Sequence, residues 1–440
     1  MNPGDGSRPL HRPFDRGDAR TLALSALGGA LEFYDFVVFV FFAKVLGALF
    51  FPAGTAPWLA QVQVYGIFAA GYLARPLGGI VMAHFGDRLG RKRMFTFSVF
   101  LMSVPTLLIG LLPTHAQVGL LAPLLLLALR IVQGIAVGGE VPGAWVFVAE
   151  HVPRRHVGFA CATLTAGLTV GILIGSLLAA WINAHFPADA VLAWVWRVPF
   201  LLGGAFGFVA VWLRRWLHET PVFAEMRERK QLAQELPVKQ VLARHRRGVL
   251  VSMLASWQLT AAIVVIVLMT PTLVQTSFGL PAVLAFEGNS LATLALVAGC
   301  LCAGRAVDRF GAGRALLFGS LALAVAAYAL YAPLAAGRTD GFLLRYAIAG
   351  FCCGVVGVVP ALMVAAFPPE VRFSGLSFSY NVAYALFGGI TPPLIGWLSQ
   401  AWGGMAPAHY VAITCAVGIG LALWLRRRPL EYQGVGEQVA

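Results

Sequence analysis

Glu32 and Asp35 lie three residues apart in a long apolar run, so a helix carries both on one face, near mid-depth. Two carboxylates so close repel when both are ionised, which suits a pair that takes up and releases a proton. The competing reading is a polar network that holds the first helix against the fourth and fifth. Arg130 and Gln133 repeat the three-residue spacing in the fourth run. A guanidinium there can pair with Glu32 or Asp35, or offer a two-pronged fork to a solute carboxylate. Both roles stay open and can alternate, the acid holding Arg130 until a proton arrives and a substrate anion then replaces it. Ionisable groups in hydrocarbon cost roughly 2.5–3.5 kcal/mol each on insertion scales, so they face a cavity or a partner. Glu140, nearer one end, reads as a gating residue, and Arg75, in Ala74-Arg75-Pro76-Leu77, first as a structural partner. The second half offers Trp257 and Gln258 in a polar patch with Ser256 and Thr260, then Tyr380, Asn381 and Tyr384, and Arg345 beside Tyr346 as another carboxylate handle. Glu32 and Asp35 are thus the candidate proton-coupling pair. Arg130, Gln133, Trp257, Gln258, Arg345, Tyr380, Asn381 and Tyr384 are the candidate substrate contacts.

A second set of charges lies between apolar runs. Gly86-Asp87-Arg88-Leu89-Gly90-Arg91-Lys92-Arg93-Met94-Phe95 is too charged for hydrocarbon and marks a short loop on one membrane face. Asp308-Arg309-Phe310-Gly311-Ala312-Gly313-Arg314 repeats its Asp-Arg-x-Gly-x-x-Arg skeleton about half a chain later, in degraded form. A matched pair of Pro-acid-Arg stretches, around Glu150-His151-Val152-Pro153-Arg154 and Pro368-Pro369-Glu370-Val371-Arg372, supports the same duplication. Two halves facing each other across a bilayer make a solute carrier. The candidate gating residues are Asp87, Arg88, Arg91, Glu140, Glu150, Arg154, Asp308, Arg309 and Glu370. Asp87 is expected at the N-terminus of helix eleven, where unpaired amides favour negative charge, with Arg91 against Glu150. Asp308 and Arg309 with Glu370 are expected to form a weaker counterpart.

The elements that position these residues are membrane helices. Apolar residues make up 59% of the 440 and charged ones 12%, against about 25% charged in a soluble domain; mean hydropathy is +0.79. Runs at roughly 21–50, 57–84, 94–112, 119–147, 158–183, 192–213, 249–277, 283–306, 315–335, 341–366, 373–400 and 407–425 predict an all-α membrane protein of twelve transmembrane helices. They group as a cytoplasmic segment 1–20, a six-helix bundle 21–213, a linker 214–248, a second bundle 249–425 and a tail 426–440. The run Glu225-Met226-Arg227-Glu228-Arg229-Lys230 in the linker reads as an amphipathic helix on the inner surface. The net charge of +13 resides mostly in alternate loops and the two ends, which puts both termini in the cytoplasm and assigns the basic excess to topology, not to nucleic acid. The six cysteines all fall in apolar spans, as small packing residues. No metal-ligand cluster, Gly-x-Ser-x-Gly or phosphate loop occurs, so neither an enzyme, a cofactor nor an ATP-driven pump is expected.

Gly86-Asp87-Arg88-Leu89-Gly90-Arg91-Lys92 resembles the loop 2–3 signature of the major facilitator superfamily. Leu31-Glu32-Phe33-Tyr34-Asp35-Phe36, Arg130-Ile131-Val132-Gln133-Gly134 with Gly138-Gly139-Glu140, Trp194-Val195-Trp196-Arg197-Val198-Pro199-Phe200 and Phe387-Gly388-Gly389-Ile390-Thr391-Pro392 are similar to signatures of its metabolite–proton symporter branch. The resemblance implies two pseudo-symmetric six-helix bundles that work by alternating access, usually driven by inward proton flow. Branch substrates include di- and tricarboxylates, 2-oxoglutarate, shikimate, and proline or betaine. Gly29 departs from the pattern where an Asn is common, and no heptad repeat follows Arg428, which weighs against the osmosensing members and their proline/betaine substrates. The expectation is a monomeric inner- or plasma-membrane importer of a small organic acid with protons as co-substrate. A proline/betaine-type zwitterion symporter and an uncoupled facilitator or exporter of the same fold are the alternatives.

Overall fold

The computed structural model describes residues 14–52, 54–89, 91–213, 237–368, 371–428 and 430; the side chains of residues 32, 57, 58, 61, 83–96, 213, 237 and 400 lie outside that description. Among the described residues there is no strand. Twelve long helices follow one another among the described residues: α1 (Arg16–Phe41, continued past Phe42 as Ala43–Phe50), α2 (Pro57–Leu89), α3 (Arg91–Leu111), α4 (Leu121–His151), α5 (Val157–His185) and α6 (Arg197–Leu213) form the first half. The second half comprises α7 (Arg246–Thr276), α8 (Ala282–Phe310), α9 (Ala312–Ala335), α10 (Phe342–Ala365), α11 (Arg372–Ser399) and α12 (Ala406–Arg427). Ten of these are long and apolar enough to cross a bilayer. α6 taken with the bent segment Ala188–Val195 makes an eleventh, and the described apolar part of α3, Phe97–Leu111, is shorter. Leu73, Phe318, Val325, Leu344 and Trp397 are exposed on the outside of the bundle, where a bilayer and not water accepts them.

The helices run further than the apolar stretches. The charged segment expected as a loop after the second run is helical on both sides, with α2 ending at Leu89 and α3 starting at Arg91. A helix satisfies its own backbone hydrogen bonds, so it need not stop where hydrocarbon stops. The matching junction between α8 and α9 turns on Gly311 alone, at φ +85°, a conformation that side chains oppose. Within the expected linker, Pro237–Arg244 is a short helix; residues 214–236, including the Glu225–Lys230 run, lie outside the described residues.

Both halves pair their helices in the same way. α1 packs on α5, α2 on α4 and α3 on α6; α7 packs on α11, α8 on α10 and α9 on α12. Glycines set the close pairs. A β-carbon built on Gly134 of α4 would overlap the Gly71 carbonyl of α2, and one on Gly354, just after α10 turns 3-10, would overlap the Gly299 backbone of α8. The Gly167, Gly171 and Gly175 stripe of α5 seats α1. The halves meet along α5–α8 and α2–α11.

Two central helices of the second half carry π-helical turns, Ala262–Met269 in α7 and Tyr384–Gly388 in α11. Side chains take up carbonyls in the first of them: Thr270 Oγ1 donates to Val265 O at 2.7 Å and Tyr346 Oη to Ile266 O at 2.8 Å. π turns concentrate at functional positions.

Candidate functional site

Three polar assemblies lie inside the bundle. The first joins α1, α3, α4 and α6. Arg130 of α4, fully buried, donates through Nη1 to Gln133 Oε1 (2.8 Å) and through Nη2 to the Phe36 carbonyl of α1 (3.0 Å). Gln133 Nε2 donates to Thr106 Oγ1 of α3 at 2.7 Å. The Phe36, Phe39 and Phe68 rings lie 4.0, 4.6 and 5.0 Å from the Arg130 guanidinium carbon. Asp35 is 1% exposed, and neither oxygen has a donor in good geometry among the described residues. It lies beside Thr106 and against α6, where a β-carbon on Gly203 would come 2.5 Å from Oδ1. Of the partners open to Arg130, Asp35 is therefore not one that it pairs with here. Successive helical residues point about 100° apart: Asp35 turns to α3 and α6, while Arg130 reaches the backbone at Phe36. Thr106 and Gln133 stand between them. The Glu32 side chain lies outside the described residues.

The second assembly crosses from α2 to α11. Arg75 is 0% exposed; its Nε donates to Asn381 Oδ1 at 3.3 Å, and neither terminal nitrogen makes a hydrogen bond of good geometry among the described residues. The guanidinium carbon lies 4.2 Å from the Tyr384 ring centre, 5.1 Å from Tyr380 and 5.6 Å from Tyr72. Trp145 of α4 stands edge-on to Tyr380 at 4.9 Å. Asn381 Nδ2 donates to the Gly138 carbonyl and to Ser377 O (2.8 Å). Sequence reasoning found Tyr380, Asn381 and Tyr384 but set Arg75 aside as structural and missed Tyr72 and Trp145. The Tyr72-x-x-Arg75 spacing, one helical turn, was the available signal.

The third assembly lies at the basic end, where the end of α8 meets the start of α5. Asp308 at the end of α8 accepts from the backbone N–H groups of Gly158 (2.8 Å) and Phe159 (3.0 Å), the first turn of α5. A carboxylate against unpaired amides at a helix start is favourable. Asp308, expected to act with Arg309 and Glu370, thus caps helix five, and Glu370 lies outside the described residues. Arg305 of α8 lies over the Phe159 ring at 4.5 Å. Glu150, expected opposite Arg91, lies 3.7 Å from Arg372 Nη1. Arg372 also donates through Nε to Val364 O (3.2 Å) and Phe367 O (3.3 Å). The Pro-acid-Arg repeat contained Arg372, so the signal was present. The side chains of Asp87, Arg88 and Arg91 lie outside the described residues. Glu140 is buried on α4, whereas Arg154 and Arg309 are exposed at this end.

Other expected contacts sit away from these centres. Gln258 turns outward through the second bundle, donating to Ser320 Oγ of α9 at 2.6 Å, because α9 and α12 pack on that face of α7. Trp257 stacks on Phe387 (4.6 Å, 12°) and donates to Tyr410 Oη at 3.1 Å. Arg345 approaches the Arg338 carbonyl at 3.4 Å, beyond the outer end of α10, where a long side chain reaches polar backbone.

Comparison with known proteins extends over the same helices. The chain is 31% identical over 431 residues to the "Proline/betaine transporter" of Salmonella typhimurium, covering 94% of this chain and 85% of that protein. It is 30% identical over 433 residues to the "Glycine betaine/proline/ectoine/pipecolic acid transporter OusA" of Dickeya dadantii, covering 94% and 84%. Among solved structures, the proton:xylose symporter XylE bound to 6-bromo-6-deoxy-D-glucose superposes with a TM-score of 0.76 at 17% identity, covering 93% of this chain and 95% of that one. The family model described as Major Facilitator Superfamily matches residues 26–378. With its twelve helices paired alike in two halves and a family match over most of its length, this membrane transport chain belongs to the Major Facilitator Superfamily.

Proposed function

We propose that this protein imports a small zwitterion of the proline/betaine type, driven by inward proton flow. The observation that carries the substrate class is the identity of about 30% across nearly the whole chain to transporters named for proline and betaine. That identity runs through the helices that would contact a solute, which is where a substrate is chosen. The organic-acid reading shares the carboxylate but leaves the tyrosines around Arg75 without a role. Asp35 is the proposed coupling acid: a carboxyl buried at the α1–α3–α6 contact, one hydroxyl and one amide from Arg130, can relay a change of charge to the neighbouring helices.

The deciding measurement is accumulation of labelled proline, glycine betaine, citrate, 2-oxoglutarate and shikimate in proteoliposomes, with an imposed inward proton gradient, with and without protonophore. Protonophore-sensitive accumulation of proline or betaine is expected. Accumulation of ammonium-free acids alone would restore the organic-acid reading, and uptake that only equilibrates would make the protein a facilitator.

In the same reading the basic end faces the cytoplasm, by the distribution of Lys and Arg, and Asp308 holds it shut. Asp308→Ala removes two charge-assisted bonds to α5, and losses of such caps run to about 0.5–2 kcal/mol. Uptake is expected to fall roughly threefold or more, since about 0.65 kcal/mol already triples a population ratio. Wild-type uptake by well-inserted Asp308→Ala protein would remove the gate assignment.

A further inference from the structure

A cation buried in a membrane protein is costly without an anion or a set of acceptors. Arg130 has an acceptor for each of its two terminal nitrogens. Arg75 differs: among the described residues no carboxylate pairs with it, and both terminal nitrogens lack a hydrogen-bond partner of good geometry. What surrounds it is the π-faces of Tyr72, Tyr380 and Tyr384, at 4.2–5.6 Å. Stacking on aromatic faces offsets part of the cost, and such cages are also how quaternary ammonium ligands are held. One side of this assembly therefore lacks an anion, and the other is a receptacle for a cation.

Resting on the zwitterion reading above, we infer that Arg75 and the tyrosines form the substrate's two-part subsite between α2 and α11. In the empty protein the Arg75 guanidinium stands where the substrate's cationic nitrogen will go. When the zwitterion enters, its carboxylate takes the two terminal nitrogens of Arg75 as a fork. Its ammonium then replaces the guanidinium against Tyr380 and Tyr384. Tyr72 and Arg75 belong to one half and Tyr380, Asn381 and Tyr384 to the other, so a bound zwitterion replaces one of the contacts that join the halves in its absence. The subsite selects for both charges: an acid without an ammonium leaves the rings empty, and an amine without a carboxylate leaves Arg75 unmatched.

Glycine betaine and 3,3-dimethylbutyrate have the same shape and carboxylate and differ only by a quaternary nitrogen in place of carbon. In wild-type proteoliposomes, 3,3-dimethylbutyrate is expected to compete with labelled betaine at least tenfold more weakly than unlabelled betaine does. Tyr384→Leu is expected to collapse that ratio to within about twofold, while Tyr384→Phe, which keeps the ring, preserves it. Arg75→Lys is expected to weaken both competitors together. Equal competition by the two compounds in the wild type overturns the inference without any variant, as does tenfold discrimination retained by Tyr384→Leu. Wild-type protein that accumulates only ammonium-free acids would overturn the zwitterion reading itself, and the subsite with it. That outcome is distinct from betaine uptake with no discrimination at the rings, which overturns the subsite alone.

Discussion

Asp35→Asn is expected to abolish proton-driven accumulation while leaving exchange intact. One charge crossing 100 mV supplies about 2.3 kcal/mol, a concentration ratio of roughly fifty. A coupling acid is the group through which that energy reaches the solute, and Asn, nearly the same size, cannot take or give the proton. Asp35 lies in a close-fitting place against Gly203 and Thr106, so an isosteric change disturbs packing least. The steady-state ratio of internal to external betaine should fall from tens to about one. Counterflow, in which labelled solute outside exchanges for unlabelled solute inside, should continue, since it needs the helices to move but no net proton transfer. A variant that still accumulates betaine tens of times over would move the coupling role away from Asp35, with Glu32 next to be changed.

The second large effect concerns whether the bundle forms. Gly134→Leu is expected to cost about 3 kcal/mol or more, because the β-carbon meets a backbone carbonyl and not a movable side chain. The α2–α4 contact would have to separate, and Arg75 and Arg130, which project from those two helices, would lose their settings. Gly66→Leu is the control: it lies on α2 with nothing within 4 Å of the new carbon. Leucine favours helix by up to about 1 kcal/mol relative to glycine, so this variant should be as stable as the wild type or more so. Thermal midpoints and the yield of monodisperse protein in detergent measure both. A Gly134→Leu protein of wild-type midpoint would show that α2 and α4 are not held at this distance.

The bundle was legible because its signals are local and repeated. Apolar runs of the length of a bilayer, basic charge in alternate loops and duplicated Asp-Arg junctions need no knowledge of which side chains meet. Glycines at intervals of four named their own role. The site was only partly legible, because direction around a helix decides it. Gln258 and Thr260 sit two residues apart, yet one bonds to α9 and the other lies against Gly388 near Tyr72 and Tyr384. Arg75 and Arg130 look equivalent as buried guanidiniums in adjacent helices. They are separated by what each lacks, and a missing partner leaves no trace in a sequence. At the gate the repeat pointed to Asp308 as a gating residue but not to its partner: both halves carry the Asp-Arg junction, and that Asp308 meets the first amides of α5 depends on how the halves dock.

The π turns of α7 and α11 have no counterpart in α1 and α5, their partners in the first half. A π turn holds more residues than an α turn for the same stretch of axis. Beyond Ala262 and beyond Tyr384, therefore, the second half is out of phase with the first. A residue aligned by the internal repeat will point to a different quarter of the bundle once the turn is passed. Transplanting a side chain from one half to its mirror position, or placing paired cysteines by symmetry, will succeed at the basic end and fail on the far side. The two halves share a blueprint up to mid-membrane, and from there they are left and right hands that no longer fit the same glove.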